Sequence, residues 1–186
     1  MIELLRSDNM IHISLVTLAV IGGFDEIYFH QIRGKILWRN DCSRENILHL
    51  IRSYSFSFIF LIISSFVFEG WFILLLIVPF LIDMVVGVLD IYEEGISRKF
   101  QNGLHSGEYF THMLLSFHLG VLYLNLIPFI IKKFDNPNSI SISGPDTSLQ
   151  WLLLLFSFLV FMYSLLQTFI LIRCWMVERK THVVCD

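Results

Sequence analysis

Charged residues are scarce in this chain of 186 residues, where Asp, Glu, Lys and Arg together make up 16%. A soluble domain carries roughly 25% of such residues, so the shortage argues against a soluble fold. Several apolar runs approach the length of about 20 residues that crosses the hydrocarbon core of a bilayer. The chain is therefore predicted to be a multi-pass membrane protein that forms a single domain, residues 1–186.

Cysteine is also rare. Cys42, Cys174 and Cys185 are far apart and form no CxxC pair, which excludes a disulfide framework and zinc-finger spacing. The sequence has no block of Lys and Arg, and its net charge is −3, so we expect no nucleic-acid partner. No small-residue cleavage site follows the first apolar run, so we expect this run to be retained as a membrane span.

Five apolar spans are predicted, and polar connections separate them. Their bounds are residues 10–32, 47–68, 71–94, 106–131 and 149–172. Glu69 and Gly70 predict a tight turn between the second and third spans, and residues 132–148, rich in Asn, Ser, Pro and Gly, predict an irregular loop. The predicted fold is an all-α bundle of five transmembrane helices.

The charges of the connections predict the orientation of the bundle. Nine basic residues fall on one side: Arg33, Lys35, Arg39, Arg44, Arg98, Lys99, Arg173, Arg179 and Lys180. Three fall on the other side: Arg6, Lys132 and Lys133. Because Lys and Arg accumulate in cytoplasmic loops, the N-terminus is predicted outside and the C-terminus inside. We expect an integral protein of a cytoplasmic membrane, such as a bacterial inner membrane.

Ionisable side chains gather at one end of each of the first four spans. They are Glu26, His30, His49, Arg52, Asp90, Glu94, His105, Glu108 and His112. Successive spans alternate in direction, so every one of these residues lies at the cytoplasmic end of its helix. Charged groups in an apolar setting are costly unless they are paired or bind a metal. The sequence therefore predicts one polar layer near the cytoplasmic side of helices one to four.

Three spans each present such side chains on one helical face. The sets are Glu26 with His30, Asp83 with Asp90 and Glu94, and His105 with Glu108 and His112. At 100° per residue each set falls within an arc of roughly 40° to 60°. The first and fourth spans thus carry an E-x-x-x-H pattern and the third carries D-x-x-x-E.

Carboxylates and imidazoles on facing helices are the ligand set of di-iron and di-manganese proteins, although a Glu-x-x-His spacing is usual there. The predicted metal ligands are Glu26, His30, Asp90, Glu94, Glu108 and His112. His49 and His105 are predicted as further ligands or bases, Asp83 as an acid that supports the ligands or as a proton relay, and Arg52 as a group that neutralises the acids. Oxygen and nitrogen ligands favour iron, manganese or zinc. The predicted cofactor is two divalent ions, with iron favoured over zinc and manganese.

The leading hypothesis is a membrane-embedded dinuclear metal oxidoreductase. It would act on an apolar lipid- or quinone-like substrate from the bilayer, with an electron-donor protein as partner. A zinc-dependent membrane hydrolase is the near alternative, because zinc at such a site activates water. A second alternative is a non-enzymatic accessory or cation- or proton-transport subunit of a larger membrane complex. A haem site and a purely structural network, with Glu26 and Glu108 paired to Arg52, Arg98 or a protonated histidine, complete the alternatives.

Overall fold

The computed structural model describes residues 7–39, 42–101 and 103–182, and most of them are helical. The helices are α1 (Ser7–Phe24), α2 (Ser43–Ser65), α3 (Leu74–Ser97), α4 (Ser106–Phe134) and α5 (Ser148–His182). Counted with the helical turns that adjoin them, all five are long and apolar enough to cross a membrane. The prediction of five helices of membrane-spanning length is confirmed.

The core of the bundle lies among α1, α2, α4 and α5. Helix α2 packs against α3 and α5, while α1 packs against α4 and α5. Leu15, Ile59, Leu122 and Leu153, one from each core helix, are fully buried and in one apolar cluster. These side chains fix the helices relative to one another in the part of the bundle remote from the predicted site.

Two short strands stand at the end of α2 and after α4. Strand β1 (Phe66–Glu69) pairs antiparallel with β2 (Ser139–Ile142). The sequence predicts an irregular loop over residues 132–148, and the structure differs because the alternation of Ser and Ile suits a strand with one apolar side. The turn predicted at Gly70 is present. Gly70 has φ +61, a conformation that strains other residues, and a Cβ there would lie 3.0 Å from the backbone of both Asn136 and Asn138, so the turn favours glycine.

Glu69 ties this end of the bundle together. Its carboxylate accepts hydrogen bonds from Lys133 at 2.8 Å, Asn136 at 2.9 Å and Ser139 at 3.1 Å. These donors, with Lys133 contributing most, hold the pKa of Glu69 below its usual value. The contact joins the end of β1 to the end of α4 and the start of β2, on the side of the bundle remote from the predicted site.

Helix α1 does not continue to its predicted end as an α-helix. From Asp25 to Arg33 the backbone forms a π-helix, in which hydrogen bonds run between residues five apart rather than four. The backbone N–H of Gly34 donates to the Phe29 carbonyl at 2.8 Å, and Lys35 ends the segment with a φ of 51°. A 3₁₀ turn, Ile36–Trp38, follows. The faces predicted for this segment from α-helical angles therefore do not apply.

Candidate metal centre

Acidic and histidine side chains from four helical segments meet at one end of the bundle, and we call this group the polar layer. It comprises twelve ionisable side chains linked by contacts: Asp25, Glu26, His30, Glu45, His49, Arg52, Asp83, Asp90, Glu94, Arg98, Glu108 and His112. Most of them are buried. The structure thus brings together all of the predicted site residues except His105.

His105 lies at the rim of the bundle. It is exposed, and its Nδ1 accepts a hydrogen bond from the backbone N–H of Gly107 at 3.1 Å. Its ring lies against Phe29, with 6.0 Å between the ring centroids. The side chain caps the first turn of α4, whose N–H groups have no partner within the helix. This local role keeps His105 away from the polar layer.

The π-helix brings Asp25 into the polar layer. Residues five apart align on such a helix, and Oδ2 of Asp25 lies 3.3 Å from Nε2 of His30. The same oxygen is 3.0 Å from Nε2 of His112, and the Thr111 hydroxyl donates to the other oxygen. On an α-helix Asp25 would point well away from His30, so α-helical geometry does not predict its part in the site.

His49 is the centre of one set of ligand-type atoms, the His49 cluster, formed by His49, Glu45, Asp90 and Glu94. Its Nε2 is 3.4 Å from Oδ1 of Asp90 and 3.9 Å from Oε1 of Glu45. Ligand atoms of Glu45, His49 and Glu94 all lie within 4.8 Å of one another. At the opposite edge of the ring, Nδ1 is 3.2 Å from Oε2 of Glu26. With its proton on Nδ1, His49 keeps a lone pair on Nε2, which is the form that binds a metal.

Glu26 is held in place by α5. Its Oε1 accepts hydrogen bonds from three side chains: Tyr163 at 2.8 Å, Gln167 at 2.8 Å and Gln31 at 2.9 Å. The sequence predicts Glu26 as a metal ligand and assigns no site residue to the uncharged fifth span. In the structure the Glu26 carboxylate lies between these donors and His49, the arrangement of a carboxylate that orients a metal-binding histidine.

A second set of ligand-type atoms, the His30 cluster, consists of His30, Asp25, Glu108 and His112. Nε2 of His30 is 3.3 Å from Asp25 and 3.6 Å from Oε1 of Glu108. Ligand atoms of Asp25, His30 and His112 all lie within 4.8 Å of one another. His30 is 0% exposed, so its ring is fixed by these neighbours rather than by water.

Glu45 and Glu94 belong to the His49 cluster and also face the His30 cluster. Oε2 of Glu94 is 3.6 Å from Nδ1 of His112, and Oε1 of Glu45 is 3.7 Å from Nδ1 of His30. The rings of His30 and His49 are 4.3 Å apart, measured between centroids. A carboxylate has two oxygens, so acids in these positions are suited to bridge two neighbouring cations.

Distances inside the clusters suit shared cations. Two atoms that each bind one ion at about 2.1 Å are about 3.0 Å apart at octahedral angles and about 3.4 Å apart at tetrahedral angles. Five buried ligand-type atoms have no hydrogen-bond partner among the described residues: Nε2 of His30, Oε1 of Glu45, Nε2 of His49, Oδ1 of Asp90 and Oε1 of Glu108. Buried polar atoms are rarely left unpaired, so these five are candidate cation ligands.

The polar layer also carries more negative than positive charge. Its seven carboxylates meet three imidazoles and two guanidinium groups, Arg52 and Arg98. Even with every histidine protonated, the carboxylates outnumber the positive charges by two. With neutral histidines the excess is five. Unbalanced buried charge is costly, so cations bound in this layer would stabilise it.

Arg98 contacts both clusters and is 0% exposed. Its Nη2 lies 2.7 Å from Oε1 of Glu45 and 2.8 Å from Oε1 of Glu108. These contacts are ion pairs and not hydrogen bonds, because their angles are unsuitable for hydrogen bonding. The same nitrogen is 3.0 Å from Nδ1 of His30. Since a guanidinium only donates, His30 accepts at Nδ1 and carries its proton on Nε2. In this arrangement the Nε2 proton of His30 faces Asp25 at 3.3 Å without a hydrogen bond, and Nε2 can bind a metal only once that proton has moved to Nδ1.

Gly34 supports the guanidinium of Arg98. A Cβ at Gly34 would lie 2.7 Å from Nη1 of Arg98 and 2.9 Å from the carbonyl oxygen of Phe29. Both distances are far below van der Waals contact, so the position requires glycine. The turn that ends the π-helix is therefore packed directly against the buried arginine.

Arg52 joins the deeper acid Asp83 to the polar layer. Its Nε donates to Oδ1 of Asp83 at 3.0 Å, and its Nη1 donates to Oδ2 of Asp90 at 3.0 Å. The sequence predicts Arg52 as the group that neutralises the acids and Asp83 as a proton relay. Asp90 thus binds Arg52 with one oxygen and turns the other toward His49.

Three members of the polar layer are absent from the predicted site: Asp25, Glu45 and Arg98. Glu45 and Arg98 stand in polar connections, where charged side chains are usually solvated. Glu45 nevertheless has a usable signal, because it precedes His49 by four residues and repeats the E-x-x-x-H pattern. Helix α2 begins at Ser43, earlier than predicted, and so carries Glu45 into the layer.

An apolar cavity of about 450 Å³ adjoins the polar layer. Its walls are apolar side chains of α1, α2, α4 and α5, among them Leu18, Phe56, Phe60, Leu115, Leu119 and Phe156. Its polar end is formed by Asp25, Glu26, His49, Arg52 and Tyr163. The volume lies within the range of about 300–1,000 Å³ that is typical of small-molecule sites.

Comparisons of the chain with models of protein families, with curated proteins and with solved structures found no match. Function is therefore inferred from the polar layer and the cavity alone.

Proposed function

We propose that the protein is a membrane-embedded dinuclear metal oxidoreductase that acts on an apolar substrate from the bilayer. One observation carries the proposal. Two clusters of buried ligand-type atoms, in which Glu45 and Glu94 of the His49 cluster also face the His30 cluster, lie at the polar end of an apolar cavity. Residues of the kind that bind metal and a compartment large enough for an apolar molecule are thus adjacent.

The two clusters would each hold one divalent ion. Their oxygen and nitrogen atoms are the ligands that iron, manganese and zinc accept, and we favour iron because the proposed reaction is a redox reaction. Two such ions would reduce the excess of five negative charges to one when the histidines are neutral. The five orphaned ligand atoms would gain partners at the same time.

An ion in the His30 cluster would compete with Arg98. Nη2 of Arg98 lies within 3.0 Å of His30 and within 2.8 Å of Glu45 and Glu108, so it occupies space next to the same ligand atoms. For His30 to bind an ion through Nε2, its proton must move to Nδ1 and Arg98 must release that nitrogen. Arg98 would then neutralise the acids whenever the second ion is absent.

The metals would supply the redox chemistry, with dioxygen as oxidant and electrons from an external donor protein. The chain would bind the apolar part of the substrate with the aromatic and aliphatic walls of the cavity and exclude bulk water from it. Tyr163 and Glu26 would keep the His49 ring in one orientation beside the substrate. A zinc hydrolase would use the same ligands, and metal identity separates the two.

A transport function has less support from the packing. Leu15, Ile59, Leu122 and Leu153 are all 0% exposed. Each lies within about one turn of a cavity residue, on the side away from the polar layer. This apolar layer separates the cavity from the opposite end of the bundle, where an ion or proton path would have to continue.

We further propose that the polar layer lies at the cytoplasmic side of the membrane. Nine basic residues flank the spans at that end and three at the other, and basic residues accumulate on the cytoplasmic side. Cysteine labelling from either side of the membrane, at single cysteines placed beside Lys99 and beside Asp135 in a cysteine-free chain, tests the orientation.

Elemental analysis of the detergent-purified protein tests the function. We expect close to two metal ions per chain, mostly iron, and the loss of at least one ion in His49→Ala. The matched control is His118→Ala, because His118 hydrogen-bonds the carbonyl of Leu114 in its own helix at 2.9 Å through Nδ1 and lies outside the polar layer. A wild-type protein that contains no metal and keeps its fold after chelation would contradict the proposal, and zinc in place of iron would favour the hydrolase.

A further inference from the structure

The apolar cavity opens toward the lipid between α1 and α5. Ile27 and Leu159 line it, yet 56% and 51% of their respective surfaces are exposed. Gly23 also lines it, and a Cβ there would meet no atom within 4 Å. The hydrogen bond from Tyr163 to Glu26 places these two residues at the same depth in the bundle. Leu159 and Gly23 each lie about one helical turn before them, so they also lie at the same depth as each other. These three residues form the mouth of the cavity.

The polar end of the cavity is unsuited to an anionic group. Asp25 and Glu26 contribute carboxylates there. Arg52, the guanidinium that lines the cavity, already binds Asp83 and Asp90 at 3.0 Å each. A carboxylate or phosphate placed beside these acids would meet like charge in a medium of low dielectric constant, which is strongly unfavourable. An uncharged group avoids this cost.

An uncharged oxygen group finds most of its hydrogen-bond partners at this end, since the walls are aliphatic and aromatic apart from Ser53. The phenol of Tyr163 lines the polar end and donates its proton to Glu26, so its oxygen can accept a hydrogen bond from a hydroxyl. Nη2 of Arg52, which takes part in neither hydrogen bond to Asp83 and Asp90, can donate to a carbonyl. A molecule with one apolar chain and such an end group would therefore lie with its chain along the walls and its oxygen beside Tyr163.

We propose that this cavity binds a single-chain lipid whose polar end is an uncharged hydroxyl or carbonyl, and that the lipid enters sideways from the bilayer past Gly23. The inference rests on the proposed function in taking this molecule as the substrate. Its binding is a property of the cavity and can be measured with or without metal.

Three variants test the mouth. Gly23→Leu places a side chain across it, and the helix tolerates the change because a Cβ has space there and leucine favours helix. Leu159→Trp narrows the mouth from α5 at an exposed position. Gly120→Leu is the matched control, since Gly120 is an exposed glycine of α4 with no atom within 4 Å of a Cβ and it does not line the cavity.

The experiment is equilibrium binding of radiolabelled 1-hexadecanol to the full chain in nanodiscs. We expect one saturable site per chain, weakened by about tenfold or more in Gly23→Leu and in Leu159→Trp, and unchanged in Gly120→Leu. At about pH 8, where a fatty acid is ionised, hexadecanoate should compete about tenfold less well than hexadecanol. A prenylated quinone as second competitor distinguishes the two sources of an uncharged oxygen, an alcohol or a quinone.

Equal competition by hexadecanoate, or unchanged binding in both mouth variants, would overturn the inference. Binding measurements on chelated protein distinguish a failure of this inference from a failure of the proposed function. Saturable binding that persists in a protein found to contain no metal supports the cavity while the metal proposal fails. A protein that contains two metals and shows no saturable binding of hexadecanol or quinone overturns the cavity inference and leaves the metal proposal standing.

Discussion

Oε2 of Glu26 lies 3.2 Å from Nδ1 of His49. The contact decides which ring nitrogen holds the proton and turns the other, Nε2, toward Asp90 and Glu45. Through Tyr163, which donates to the same glutamate, it also connects α5 to the polar layer, although residues 149–172 of that helix carry no charge. Carboxylates that orient a ligating histidine in this way are part of most metal sites.

Replacing Glu26 with glutamine should weaken the binding of one metal ion by about 10–100-fold, as loss of such an outer carboxylate does elsewhere. The glutamine amide can still contact His49, but it is uncharged. It therefore no longer stabilises the positive charge that the imidazole ring of His49 acquires when it binds an ion. Titration against a chromophoric chelator measures the affinity. Glu93→Gln is the control, because Glu93 neighbours Glu94 in sequence without belonging to the polar layer, and it should bind metal as wild type does.

Span order and hydropathy predict the helices and the depth of the acids, because both depend only on where apolar runs begin and end. Helical faces are predictable for Asp90 and Glu94, since α3 is α-helical throughout. They are not predictable for Asp25, because nothing in the local sequence distinguishes a π-helix from an α-helix there. Arg98 reaches the site from the connection between α3 and α4. The sequence does not predict this position, because it depends on how Arg98 packs against Gly34 in the folded chain.

The cavity could not be read from the sequence either. Its walls include Phe56 and Phe60 of α2 and Phe156 of α5, and phenylalanines of this kind are equally expected on lipid-facing surfaces. Which phenylalanines face the cavity depends on the distance between α1 and α2, and this distance is determined by the helices that pack against them. That separation is a property of the whole bundle rather than of any one span.

Arg98→Gln should destabilise the metal-free protein by about 3–5 kcal/mol, because removing one partner of a buried ion pair leaves Glu45 and Glu108 uncompensated. Added metal should then raise the unfolding temperature of the variant more than that of wild type, since a cation replaces the lost charge. Thermal unfolding in detergent, with and without metal, measures both effects. Lys99→Gln, at the exposed neighbouring position, should change neither, and an equal metal response in Arg98→Gln and wild type would contradict the competition between Arg98 and an ion.

Gly34→Ala should destabilise the fold by about 1–3 kcal/mol, the usual range for overpacking. The new methyl would lie 2.7 Å from Arg98 and 2.9 Å from a backbone carbonyl, and the carbonyl cannot move freely. Gly95→Ala is the matched control, because a Cβ at this exposed position of α3 meets no atom within 4 Å. If both variants unfold at the same temperature, Gly34 does not support the guanidinium as described.

Glu69 should make stability depend on pH at the end of the bundle remote from the polar layer. Hydrogen bonds from Lys133, Asn136 and Ser139 lower its pKa below the ordinary value of 4.5. The stabilisation is therefore complete above that value and is lost as the pH falls through the lower pKa of the folded state. The unfolding temperature of wild type should exceed that of Glu69→Gln above about pH 5 and converge with it at more acidic pH. A difference that stays constant as the pH falls would show that the carboxylate charge contributes nothing.

The most direct test of the two-ion centre is X-ray absorption at the metal edge of the purified protein. We expect a first shell of oxygen and nitrogen atoms at about 2.0–2.2 Å and a second metal at about 3.5–4 Å. The signal of the second metal should be lost in Glu94→Ala, which removes an acid of the His49 cluster that also contacts the His30 cluster. A spectrum without a neighbouring metal, or one that Glu94→Ala leaves unchanged, would contradict a shared centre formed by the His49 and His30 clusters.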